Sequence, residues 1–123
     1  MRSRAARGLL PLAILLFGFI LVRATIAQRA KSAVFASLAD VVLVSGVMTG
    51  EATETSDLKA AKDVLPNTPV FANTGVTIDN VKDILSIGDG VVIGTHFKQG
   101  GDTWKPVDGD RVKRFMDHVG QLR

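Results

Sequence analysis

The sequence predicts an α/β fold of about three βα units, preceded by a hydrophobic helix at the N-terminus. Three observations predict it. Short apolar, largely β-branched runs begin near residues 41, 69 and 90. Between them lie segments of ten or so residues with helical apolar spacing. Each run closes on a turn carrying glycine. Strands joined by such helices are βαβ units, and βαβ units make parallel sheets. The spacing suits either a segment of a barrel or a small doubly wound sheet. With 123 residues the chain holds one domain, and any barrel is partial, because a complete (β/α)8 barrel takes roughly 250 residues.

The N-terminal segment stands apart. Arg2, Arg4 and Arg7 precede an uncharged run of 14 residues, Leu9 to Val22, which ends at Arg23. A bilayer-spanning helix takes about 20 apolar residues, and a signal-peptide apolar region roughly 7 to 15. The length therefore favours a signal over a stable anchor, and Thr25-Ile26-Ala27 supplies small residues for cleavage close to Arg23. Residues 1–25 are expected to export the chain or hold it at a membrane through Leu9 to Val22. An organellar address, mitochondrial or plastid, is the alternative, although the run is apolar on every face where a transit peptide is amphipathic. A third reading is a buried helix, or an artefactual start joined to a truncated gene.

From Ile26 to Arg123 the pattern is that of a folded α/β unit. Ile26, Ala30, Ala33, Val34 and Leu38 fall on one helical face. Val41-Val42-Leu43-Val44 is continuously apolar, as in a parallel strand buried on both faces. Gly46, Thr49 and Gly50 make a loop. A helix over about Ser56 to Leu65 carries Leu58, Ala61 and Leu65, and Pro66 stops it. The strand Pro69 to Ala72 ends in Asn73-Thr74-Gly75. Thr77 is placed to cap a third helix with Ile78, Val81, Ile84 and Leu85 inward. The strand Gly90 to Ile93 runs into Gly94, and a Gly-rich loop leads to Asp108, the expected cap of a final helix carrying Val112, Phe115, Met116, Val119 and Leu122.

Composition excludes several kinds of chemistry. Without cysteine there is no disulfide, thiolate metal site or cysteine nucleophile. Six basic and no acidic residues precede Asp40, so the basic balance belongs to the N-terminal segment, and the remainder is net acidic. With no Tyr and one Trp, the folded part lacks the basic, aromatic face of a nucleic-acid binder. Glu51, Glu54 and Asp57 read as a solvated acidic loop, and no metal or cofactor is expected.

Ligands of parallel α/β folds gather at the C-terminal ends of the strands. The residues there are Ser45-Gly46, Asn73-Thr74-Gly75-Val76 and Gly94-Thr95-His96. Glycine lets backbone N–H groups approach a phosphate, so Gly75, Val76, Gly94 and Thr95 are the candidate phosphate-binding positions. Equally, Gly75 and Gly94 serve as tight turns and nothing more. Ser45, Asn73, Thr74, His96 and Lys98 are secondary candidates: Lys98 as a point charge, His96 as a base or ligand, though a lone histidine is more often structural. No catalytic set is assigned.

Several separated phrases together resemble one family. Ala39 to Gly46 with Thr49-Gly50 is similar to a strand and loop of the BtpA/SgcQ family. Pro69-Val70 to Gly75-Val76-Thr77, with Asn80, resembles its next turn. Asp89-Gly90 through Gly94-Thr95, Lys98, Gly101-Asp102, Pro106-Val107-Asp108, Arg111-Val112 and Phe115 resembles its last strand, loop and helix. The resemblance implies that residues 26–123 are the C-terminal portion of a ribulose-phosphate-binding, TIM-type (β/α)8 barrel, with a phosphorylated small molecule as ligand. The family's founding member is associated with photosystem I biogenesis, and others with sugar or nucleoside metabolism. Three strands without their barrel neighbours leave two open edges, so self-association or a partner chain is expected to cover them.

Overall fold

The computed structural model describes residues 24–48 and 50–123. The apolar run Leu9 to Val22 and Thr49 lie outside the described residues. Helices alternate with strands in the order α1 (Ile26–Phe35), β1 (Val42–Ser45), α2 (Thr55–Val64), β2 (Val70–Asn73), α3 (Val81–Leu85), β3 (Gly90–Val92) and α4 (Gly109–Gly120). Two 3-10 turns, Thr95–Phe97 and Gln99–Gly101, fill the loop before α4. The sheet is open and wholly parallel, in the order β1-β2-β3. Val42 pairs with Val70, and Ala72 with Val91. The α/β architecture read from the sequence is thus present, in a form consistent with a piece of a barrel.

Local chemistry explains the element boundaries. Thr25 and Gln28 form a capping box, the Gln28 N–H donating to Thr25 Oγ1 at 3.2 Å and the Thr25 N–H to Gln28 Oε1 at 2.9 Å. The expected cleavage residues therefore sit in the cap and first turn of α1. Leu38 was expected on its inner face, but α1 stops at Phe35, and Leu38 lies exposed in the following turn with φ +53°. At the last helix Asp108 caps as expected, accepting from the N–H groups of Asp110 and Arg111.

The third helix departs further from the sequence expectation. It begins at Val81, because Asn80 captures the segment before it: Asn80 Oδ1 accepts from the Thr77 N–H at 2.8 Å, and its Nδ2 donates to the Gly75 carbonyl at 2.9 Å. Asparagine side chains compete for backbone groups in this way and favour turns over helix.

One sheet face carries the core. Val42 and Val44 of β1 and Val70 and Ala72 of β2 are buried with Leu58, Ala61, Val81, Ile84 and Phe115. The opposite face is open, with Leu43 50% and Val92 42% exposed. The expectation that β1 is buried on both faces is therefore corrected: burial alternates along it, since helices cover one side only. A buried hydroxyl ties the strand ends together, Thr53 Oγ1 lying 3.0 Å from the Val44 carbonyl and 2.7 Å from that of Asn73. Among the described residues no helix is long and apolar enough to cross a membrane.

Candidate functional site

The loops that follow β2 and β3 converge over one cavity of about 210 Å³. Gly75, Val76 and Thr77 come from the first loop, Gly94, Thr95 and His96 from the second. Gly50, Gly101 and Arg111 complete the wall. The four principal candidates read from the sequence are brought together here, and His96 joins them.

Two secondary candidates brace the cavity from outside it. Thr74 Oγ1 accepts from the Gly46 N–H and donates to the Glu51 carbonyl, both at 2.9 Å, clamping the loop after β2 to the loop after β1. Asn73 Nδ2 donates to Ser45 Oγ at 2.9 Å on the open sheet face. Lys98 is not part of the wall; it pairs with Val107 in an antiparallel bridge that closes the long loop.

The two glycines differ in what surrounds them. Gly75 has φ +61°, and a Cβ there would lie 2.4 Å from the Ala52 nitrogen. Fold geometry alone requires glycine at that position. Gly94 has φ −123°, and a Cβ would meet no atom of the described residues within 4 Å. Among the described residues, no backbone hydrogen bond engages the N–H of Val76 or Thr95. Unengaged N–H groups beside a cavity are what an anion's oxygens accept from.

His96 is built in as a brace. Its Nε2 accepts from the Ile78 N–H at 3.2 Å, and its ring packs edge-on against buried Phe115 with centroids 5.9 Å apart. Its carbonyl accepts from Arg111 Nε at 2.6 Å. Burial, and then the Arg111 charge, push its pKa below the ordinary histidine value, with Asp79 opposing and Arg114 assisting. A neutral ring that accepts at Nε2 carries its proton on Nδ1. Arg111 Nη2, 3.5 Å from Nδ1, therefore meets a donor and makes a contact only. Sequence reasoning named Arg111 only as part of a resemblance, because nothing in the spacing shows that α4 returns its first turn to the strand ends.

A parallel βα sheet with its strand-end loops gathered over a small cavity belongs to the (β/α) class, in which that edge is the ligand-binding edge. Within that class the chain belongs to the BtpA family, whose profile matches residues 17–121. It is 44% identical over 98 residues to the sgc region protein SgcQ of Escherichia coli K12, covering 80% of this chain and 37% of that protein. It is 34% identical over 86 residues to an uncharacterised protein of Methanocaldococcus jannaschii, covering 70% of this chain and 33% of the other. It is also 30% identical over 84 residues to the photosystem I biogenesis protein BtpA of Synechocystis, covering 68% and 29% respectively. The chain spans about a third of the length of these relatives. No solved structure matches it.

Proposed function

We propose that the chain binds the phosphate group of a small phosphorylated molecule, of phospho-sugar type, at the C-terminal ends of β2 and β3. The observation that carries the reading is Gly94. Neither its φ nor any atom among the described residues calls for glycine, yet it lines the cavity that Gly75, Val76 and Thr95 also line. A backbone left bare beside open space accommodates a ligand's close approach. Ligand that binds only the folded state raises its stability by mass action. Inorganic phosphate should therefore raise the melting temperature, while chloride at matched ionic strength should not. Equal effects of the two salts would sink the reading.

The open edges of β1 and β3 favour assembly with a second copy or a partner chain, because unpaired strand edges and the exposed Leu43 and Val92 are costly in water. Light scattering that returns a monomer at every concentration, with no partner co-purifying, argues against this. A second reading, a membrane-tethered assembly factor without catalysis, draws on the apolar run Leu9 to Val22 and on the name of the Synechocystis relative. A link to photosystem I biogenesis rests on that name alone. Complete release of the chain from membranes by carbonate would exclude the tether.

A further inference from the structure

The phosphate reading names backbone donors and leaves the charge of the anion unanswered. Among the described residues, the cavity wall contains one side chain that carries a permanent cation, Arg111. Its Nε is committed to the His96 carbonyl at 2.6 Å, which fixes the plane of the guanidinium. The Nη2 contact with His96 is donor against donor, so it takes nothing from that edge. The salt bridges among the described residues join Lys59 to Asp63, Lys62 to Asp89 and Lys113 to Asp117, and none of them uses Arg111. Asp108, the nearest carboxylate in sequence with a defined role, has its Oδ1 engaged by the N–H groups of Asp110 and Arg111. Gly101 lies beside the guanidinium, where a Cβ would sit 3.6 Å from Nη2. A half-buried guanidinium that lines the cavity, with its Nε committed and no carboxylate partner among the described residues, is arranged to fork two oxygens of one anion.

Resting on the phosphate reading above, we propose that Arg111 is the ligand-gripping cation of this site, its Nη edge forking two oxygens of the terminal phosphate of a phosphomonoester. His96 acts as its positioning residue, through its carbonyl oxygen and its ring. The Gly75-Val76 and Gly94-Thr95 turns supply the remaining donors. Lys98, the cation that spacing alone suggests, does not line the cavity.

The test is calorimetric titration of inorganic phosphate and of glycerol 3-phosphate into the full chain and two variants, with amide spectra confirming that each is folded. Arg111→Lys keeps the charge and loses the fork, and phosphate affinity should fall by about tenfold or more. Lys113→Met removes a cation from the same helix away from the cavity, and affinity should stay within about twofold, since its effect is only screened long-range charge. If wild type binds phosphate and Arg111→Lys binds as well, or Lys113→Met weakens binding as much, Arg111 is not the gripping residue and the phosphate reading survives. If wild type binds no phosphate, both readings fall. Glycerol 3-phosphate binding at least as tightly as inorganic phosphate supports a phosphomonoester; exclusion of the ester overturns that assignment.

Discussion

The turn after β2 and the turn after β3 both place glycine beside threonine at the end of a strand, and they are held by opposite means. The first is locked by its own fold: Gly75 has a left-handed backbone, sits against the Glu51-Ala52 backbone, and is bracketed by Thr74 and Asn80. The second is open: Gly94 has a negative φ, and no atom among the described residues lies where a side chain would start. One glycine is explained by packing. The other has no such packing reason among the described residues, and the Thr-Gly of one turn and the Gly-Thr of the other conceal the difference in sequence.

Substitutions separate the two turns. Gly75→Ala combines a disfavoured φ with a clash against backbone, and should cost about 2–4 kcal/mol of stability by urea unfolding. A cost as small as that at Gly94 would remove the contrast. Thr53→Val keeps the shape but deletes the hydroxyl shared by the Val44 and Asn73 carbonyls, and should cost about 1–3 kcal/mol. No loss there would mean the strand ends are held by packing alone.

The brace between the turns should show in the pH dependence. With the His96 pKa below its unfolded value of about 6.5, the unfolded chain takes up the extra proton first as the solution is acidified. Stability is then full above about pH 6.5 and declines below it, and His96→Gln should flatten that part of the melting-temperature profile. Smallest in stability is Gly94→Ala, expected within about 0.5 kcal/mol of wild type. That variant should nonetheless lose phosphate binding, and retention of full affinity would break the comparison on its functional side.

The strands, the alternation with helices and the strand-end candidates were legible from residues 26–123, because continuous β-branched runs and 3.6-residue spacing report local structure directly. Where the reading missed, a local competitor or a missing neighbour had won. Asn80 diverted the start of α3 into a turn, α1 ended before Leu38, and β1 alternates in burial since helices cover one face. Within the candidate site, Gly75, Val76, Gly94, Thr95 and His96 were visible as strand-end residues and do share one cavity. The place of Arg111 in that wall was not visible, because it depends on the path of a loop between Gly94 and Asp108 whose 3-10 turns and Lys98–Val107 bridge carry no periodic signal.

The most direct measurement is an amide NMR titration of the full chain with inorganic phosphate. Saturable shifts at Gly75, Val76, Gly94 and Thr95 that fit one dissociation constant are expected, since both turns would face a single anion. Shifts confined to one turn, or none at either, would contradict the shared site.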